Sequence, residues 1–193
     1  MRFLKQVVAP FLSLGLLFSI ISCEKDDPAV QESPIFTLFG ETAIQIDTVE
    51  QAADTWDYGF AFSPLKSGSI AQLGMKLPVS GSFKVTLWDL NGTTPVALVS
   101  QNLSAQAAHQ SITQDITGVQ VEKGKKYGIS ILANTFYRIT KTDGSAFTYP
   151  KTIGNILVEG FHESVNTTSL ASFPSETNDT RLAPCVDVIF IAD

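Results

Sequence analysis

The chain has 193 residues, of which 44% are hydrophobic, 10% aromatic and 17% charged. This length suits one domain or two small ones, and this composition excludes a disordered chain and a coiled coil, both of which are richer in charge. The net charge of −6 excludes a sequence-independent nucleic-acid-binding protein, because that function needs a basic surface. Two cysteines exclude a disulfide framework.

Residues 1–22 have the pattern of a lipoprotein signal peptide. Two basic residues open the chain, and the apolar stretch after them is too short and too interrupted to span a membrane comfortably. The small residue Ser22 then precedes Cys23, a junction that resembles the lipobox of bacterial lipoproteins. We therefore predict that Cys23 is lipidated, becomes the first mature residue and makes the membrane a partner through its lipid anchor.

Residues 23–34 are predicted to be the lipidated cysteine followed by a flexible acidic tether. The acidic segment at 24–27 resembles the export signal that directs lipoproteins of the Bacteroidota to the outer face of the outer membrane. The alternative is a solvated tether that happens to be charged. Cleavage before Cys23 removes 22 residues and two positive charges, which leaves 171 residues with a net charge of −8. The predicted location is the outer membrane, exposed at the cell surface.

Residues 35–193 are predicted to form a single all-β domain, a jelly-roll-like antiparallel β-sandwich. Short alternating apolar runs are separated by turn residues every ten positions or so, the pattern of a sandwich. The predicted strands are residues 56–63, 70–77, 83–88, 96–99, 111–116, 127–133, 153–161 and 186–191. Residues 48–54 are predicted to be a loop or one helical turn. Residues 134–150 and 162–184 are predicted to be long irregular segments, where binding sites tend to lie.

Four pieces of sequence occur in order between residues 35 and 193. They are Phe36-Thr37-Leu38-Phe39-Gly40-Glu41-Thr42; Tyr58-Gly59-Phe60-Ala61-Phe62 leading to Leu73-Gly74-Met75-Lys76; Val85-Thr86-Leu87-Trp88; and Phe173-Pro174-Ser175 with Val186-Asp187-Val188-Ile189-Phe190. Their order and spacing resemble the bacterial domain-of-unknown-function family 4082. The resemblance implies a jelly-roll-like sandwich that accompanies carbohydrate-active or cell-surface modules, and it brings no catalytic residue. The chain departs from the family pattern at Asp57, where the family has Glu, and at Pro184-Cys185, where it has an aromatic pair.

The sequence contains no local motif of a metal or catalytic centre. His109 and His162 lack partners at ligand spacing, so no metal site is predicted. No serine lies in a nucleophile turn, and no two carboxylates are marked as a catalytic pair. The segment Asp89-Leu90-Asn91-Gly92 resembles the start of a calcium loop but lacks the distal acidic ligand, and it predicts a hairpin turn. We predict no enzyme activity and no cofactor, with a structural calcium elsewhere left as an alternative.

Aromatic and polar residues after Ala133 predict a site for a glycan. Two aromatic segments, at 136–138 and 147–149, flank a polar turn at 141–144. Rings stack on the C–H faces of sugars, while carboxylates and amides bond the hydroxyls. The alternative is that each ring packs into the core. The predicted ligand-binding residues are Tyr137, Arg138, Asp143, Tyr149 and Trp88.

The predicted function is a surface lipoprotein whose non-catalytic β-sandwich binds a glycan. The alternative is a structural or protein-interaction module of the cell envelope, which docks an envelope protein through a sheet face or edge and has no small ligand. An unrecognised glycan-processing enzyme is the third hypothesis. Exposed coplanar rings would favour the glycan, an uncovered apolar face would favour a protein partner, and a pocket joining a histidine to a carboxylate would favour an enzyme.

Overall fold

The computed structural model describes residues 29–165, 172–178 and 185–193, without the side chains of residues 47–52, 138 and 165. Cys23 and the predicted signal peptide lie outside the described residues. The described residues form one short helix and eleven strands: β1 Gln31–Glu32, α1 Pro34–Phe39, β2 Ile44–Pro64, β3 Gly68–Lys76, β4 Gly81–Asp89, β5 Val96–Ala105, β6 Ser111–Val121, β7 Tyr127–Lys141, β8 Lys151–Ile153, β9 Ile156–Val165, β10 Glu176–Asn178 and β11 Val186–Ala192. No helix in these ranges is long and apolar enough to cross a bilayer.

The strands form two antiparallel sheets that pack against each other. The four-stranded sheet has the order β1-β11-β3-β6. The seven-stranded sheet has the order β10-β9-β2-β7-β4-β5, with β8 paired to β9. The core lies between the sheets, and its largest fully buried side chains include Phe60, Phe62, Phe190, Leu73, Met75 and Leu87. This arrangement confirms the all-β antiparallel sandwich predicted from the short alternating runs.

Strand β2 shows how the alternation divides the seven-stranded sheet into two faces. Its aromatic residues at positions 58, 60 and 62 are at most 3% exposed and belong to the main core. Successive side chains of a strand point to opposite faces. The residues between the rings, including Asp57 and Ala61, therefore lie on the other face, and Ala61 belongs to a separate small cluster. We call this second side the outer face of the seven-stranded sheet.

Three segments predicted to be irregular are wholly or partly strand; the third, 162–184, contains the end of β9 and all of β10. Residues 48–54 belong to β2 and residues 134–141 belong to β7. The two segments pair with each other, from Ile44 opposite Lys141 onward, with a register shift before Trp56. The predictions were wrong because polar residues near Asn134 interrupt the apolar alternation. Cross-strand pairing, which a local pattern does not contain, makes both segments extended.

The chain enters the domain through β1, which is fixed to the sandwich at both of its residues. Gln31 and Glu32 pair with Ile191 and Phe190 of the last strand. The Glu32 carboxylate accepts hydrogen bonds from the backbone N–H and the side-chain amide of Asn155, at the turn between β8 and β9. The chain is therefore tied to both sheets from residue 31 onward.

Helix α1 is held by a carboxylate from the last strand. Ser33 occupies the cap position without making a side-chain cap bond, and Pro34 fills the first turn. The fully buried Asp187 instead accepts hydrogen bonds from the backbone N–H of Phe36 at 2.7 Å and of Val188 at 2.9 Å. Burial raises the pKa of Asp187 to about 7, against the opposing effect of the bonds from these N–H groups and that of Ile35. Asp187 thus satisfies donors that a short helix leaves free.

Candidate binding site on the outer face

The structure places both predicted tyrosines on the main core. Tyr137 is 6% exposed, and its hydroxyl lies 2.7 Å from Nδ1 of His109. Tyr149 is half-buried and packs against the same core. Burial raises the pKa of Tyr137 to about 12 and that of Tyr149 further. Neither ring forms an exposed platform for stacking, which matches the alternative that these rings pack into the core.

The other predicted site residues lie apart from these tyrosines. Asp143 is fully exposed in a turn, and its Oδ1 accepts a hydrogen bond from the backbone N–H of Ser145 at 2.9 Å, which lowers its pKa. The Arg138 side chain and Cys23 lie outside the described residues. Trp88 is 2% exposed and belongs to the small cluster on the outer face, separate from the main core. The structure therefore does not bring Trp88 together with Tyr137 and Tyr149.

The calcium-loop-like segment after Trp88 forms the turn between β4 and β5. This turn is hydrogen-bonded to the turn between β6 and β7. Oδ1 of Asp89 accepts hydrogen bonds from the backbone and side-chain N–H groups of Asn91. Oδ1 of Asn91 accepts a bond from the backbone N–H of Lys126 at 2.9 Å. Within the described ranges, no group of three or more His, Cys, Asp or Glu side chains is placed to hold a metal ion.

Very small residues on the outer face leave room above the sheet, which the ring of Phe173 occupies at Gly128. Gly59 of β2 lies opposite Ser130 of β7 on one side and His162 of β9 on the other. Ala61, the next residue of β2 on this face, lies opposite Gly128. Gly59 is required for packing, because a Cβ there would lie 1.8 Å from the carbonyl oxygen of Ile129. We call this feature the outer-face depression.

A hydrogen-bonded row forms one wall of the depression. The indole N–H of Trp88 donates to Oγ of Ser130 at 3.1 Å, and Ser130 also bonds the carboxyl group of Asp57. Beside this row, the hydroxyls of Thr86 and Ser100 lie 2.8 Å apart. Four of these five side chains are almost completely buried although they lie on the outer side of the sheet. Their polar groups therefore depend on protein or ligand partners rather than on bulk water.

Asp57 has an unused acceptor at the edge of the depression. The residue is 1% exposed, and its Oδ1 has no hydrogen-bond partner. Burial raises the pKa of Asp57 to about 7, while the bond with Ser130 acts in the opposite direction. A buried carboxyl oxygen without a partner costs free energy, so its presence in a folded protein calls for a physical reason.

His162 forms the opposite wall and also has an unused polar atom. Its Nδ1 is buried without a partner, and the ring bonds the backbone of Pro174. Burial lowers the pKa of His162, with a further contribution from the nearby positive charge of Lys126. His162 lies two residues from Ser164, which pairs with Asp57, so His162 and Asp57 are diagonal neighbours on one face.

The ring of Phe173 fills the depression. Its centroid lies 4.8 Å from that of His162 and 6.4 Å from that of Trp88. A Cβ added to Gly128 would come within 2.5 Å of the Phe173 ring, so the absent side chain at Gly128 makes the space that the ring occupies. The space above Gly128 is thus occupied by the ring of Phe173.

Charged groups lie at the rim of the depression. Nζ of Lys126 lies 2.6 Å from Oε2 of Glu159, and Oγ of Ser63 bonds the other oxygen of Glu159. Partial burial raises the pKa of Glu159, but the bonds from Lys126 and Ser63 outweigh it and the net shift is downward. The rim therefore holds a fixed ion pair, whereas the interior holds neutral hydroxyls, rings and the two unpartnered atoms.

The arrangement does not form a nucleophile–base pair from Ser130 and His162. Both residues lie opposite Gly59, but on different sides of β2, which places their backbones about 10 Å apart at ordinary strand spacing. A serine nucleophile needs a base within hydrogen-bond reach.

Asp57, Ser130, His162 and Phe173 were not predicted as site residues. A partial signal exists in β2, where Asp57, Gly59 and Ala61 make one face small and polar while the other face is aromatic. That pattern shows that the outer side of β2 differs from a plain solvated surface. It does not show which residues of β7, β9 and the later chain lie beside it, because those neighbours are fixed by long-range pairing.

Comparison with known proteins adds no family assignment. No protein-family model matches the sequence, and no curated protein matches it significantly.

Proposed function

We propose that the protein is a lipid-anchored outer-membrane lipoprotein whose non-catalytic β-sandwich binds one sugar ring of a glycan in the outer-face depression. The observation that carries this proposal is the pair of buried, unpartnered polar atoms, Oδ1 of Asp57 and Nδ1 of His162, on the walls of a ring-sized space. A sugar hydroxyl both donates and accepts hydrogen bonds, so adjacent hydroxyls suit a carboxyl oxygen and an imidazole nitrogen.

The ligand ring takes the place of the Phe173 ring. A pyranose is close in size to a phenyl ring, and the walls of the depression include the aromatic side chain of Trp88. Aromatic walls favour the C–H faces of a sugar, and the neutral hydroxyl of Ser130 suits its polar edge. Binding then requires residues 172–175 to move away from the sheet, which costs part of the binding free energy.

Two variants should change glycan affinity in opposite directions. Phe173→Ala empties the depression, so we expect tighter binding by about tenfold. Asp57→Asn keeps the shape but replaces the charged acceptor with an amide, so we expect binding weaker by about tenfold, the usual effect of losing one such hydrogen bond. A glycan array followed by calorimetric titration of the chain from Glu24 measures both; that chain contains every described element.

Asp143→Asn is the matched control, because Asp143 is an exposed aspartate far from the depression and should leave affinity unchanged. Circular dichroism of each variant shows that the protein is folded. Loss of binding in Asp143→Asn with no loss in Asp57→Asn would move the site to the turn after β7. A folded protein that binds no glycan would favour the alternative of a structural or protein-interaction module.

The lipid anchor has its own test. In a Bacteroidota host, Cys23→Ala should abolish incorporation of labelled fatty acid, because the lipobox cysteine carries the acyl chains. Cys185→Ala is the control, since Cys185 is buried in the sandwich and should leave the label unchanged. Label retained in Cys23→Ala would contradict the anchor.

The surface location has a separate test. Replacing residues 24–27 by alanines should remove the protein from the surface, as measured by protease shaving of intact cells.

A further inference from the structure

Two strands at one side of the sandwich have open edges. Strand β5 ends the seven-stranded sheet and β6 ends the four-stranded sheet. They are consecutive in the chain and contact each other, so both open edges lie on the same side. Among the described residues, no strand pairs with the outer edge of either one. We call this side the β5/β6 side.

The β5/β6 side lacks the charges that normally protect a strand edge. Strand β5 has ten residues and contains no charged side chain, and β6 has eleven residues with Asp115 alone. Oδ1 of Asp115 accepts a hydrogen bond from the side-chain amide of Gln72. Natural proteins usually blunt such edges with lysine, proline or a bulge, because free N–H and C=O groups recruit another strand.

Exposed apolar side chains add to this surface. Val96 is 57% exposed and Leu98 is 37% exposed, both in β5. A register shift between β4 and β5 falls next to Leu98, and from Val99 to Ala105 the strand pairs regularly with β4. Seven regular residues with neutral side chains therefore remain available for pairing.

The opposite side of the sandwich is built differently. Its edges are β10 and β8, with three residues each, and β1, with two. Each carries a charged residue, which is Glu176 in β10, Lys151 in β8 and Glu32 in β1. Short, charged edges pair poorly. Of the two sides of the described sandwich, only the β5/β6 side thus has long edges, and Asp115 is the single charged residue in those two strands.

We propose that a second copy of this chain joins the β5/β6 side, so that both sheets continue from one copy into the next. A two-fold axis through this side and perpendicular to the sheets pairs β5 with β5 and β6 with β6, each antiparallel. One axis serves both sheets because the two open edges lie together. The chain from Glu24 has a net charge of −8, so two copies repel over most of their surface and approach at the lowest cost on this side, where charges are few.

Analytical ultracentrifugation of the chain from Glu24 tests this proposal. We expect a dimer with a dissociation constant of about 10 µM, the weak end expected for pairing by strand edges. Ser104→Lys with Thr113→Lys places one charge on each open edge, at exposed positions. This double variant should weaken dimerisation at least tenfold, as estimated for a charge placed on a pairing edge.

The control adds the same charge elsewhere. Ser145→Lys with Thr148→Lys changes two exposed residues of the turn after β7 and should leave the dimer intact. Amide hydrogen exchange of the wild-type chain gives a second readout, in which exchange along β5 and β6 slows as concentration rises. A wild-type monomer at about 1 mM, or a dimer that the edge lysines do not weaken, would overturn the proposal.

Discussion

Gly59→Ala should lower the free energy of unfolding by at least about 3 kcal/mol, the upper range for overpacking a core. A Cβ at Gly59 would lie 1.8 Å from the carbonyl oxygen of Ile129 and 2.7 Å from Cα of Ser130. Both atoms belong to the backbone of β7, so the clash cannot be relieved by turning a side chain. Relief requires β2 and β7 to separate, at the centre of the seven-stranded sheet.

Gly160→Ala is the matched control for this prediction. Gly160 lies in the neighbouring strand β9, opposite Ala61, and a Cβ there would meet nothing within 4 Å. We expect a change within about 0.5 kcal/mol, the usual range for a site without special contacts. Urea denaturation followed by intrinsic fluorescence measures both variants. Equal stability of the two variants would show that β2 and β7 do not approach as closely as described.

Asp57→Asn should stabilise the protein most at pH 8, and by progressively less as the pH falls toward 4. The pKa of Asp57 is about 7 in the folded state, above the usual value of 3.8 for an aspartate. The folded state therefore binds more protons than the unfolded state between these values, and the contribution of this group to stability falls as pH rises from about 4 to about 7. The asparagine does not ionise, so the variant avoids this loss.

The expected gain at pH 8 is roughly 2 to 4 kcal/mol, because one pKa unit corresponds to about 1.4 kcal/mol. Urea denaturation at pH 5, 6, 7 and 8 gives the difference curve between wild type and variant. Asp187 is also buried with a pKa of about 7, so the variant should keep part of the wild-type pH dependence. A constant difference at all four pH values would contradict the titration of Asp57.

The opposite effects expected of Asp57→Asn on stability and on glycan affinity make the site testable. A variant that is more stable and binds less cannot lose affinity by unfolding. Binding sites often hold groups whose interactions are incomplete until the ligand arrives, and such groups reduce stability in its absence. Asp57 fits this description, whereas Asp187 has its acceptors filled by the backbone of α1 and β11.

The strands of the sandwich were predictable because their information is local. The alternation of rings with small residues from Trp56 to Ser63 specifies a strand and two different faces. The extension of β7 beyond Asn134 and of β2 before Trp56 was not predictable, because each depends on the other for pairing. Helix α1 was missed for a similar reason, since its six residues are stabilised by Asp187, about 150 positions away in sequence.

The candidate site was less accessible from sequence than the fold. Trp88 was identified as a ligand-binding ring, but its partners Ser130 and Phe173 lie 42 and 85 positions further along the chain. Tyr137 and Tyr149 attracted attention because they flank a polar turn, yet their rings face the core. An aromatic residue near a loop has the same sequence signature whether its ring points to solvent or inward.

If Cys23 carries the proposed lipid anchor, the pairing of β1 with β11 limits the distance between the sandwich and the membrane. In a chain anchored at Cys23, only the seven residues from Glu24 to Val30 precede the fixed strand β1, and they reach at most about 25 Å. Strand β1 lies at the edge of the four-stranded sheet opposite to β6. A tether this short would hold the β1 edge within about 25 Å of the lipid headgroups.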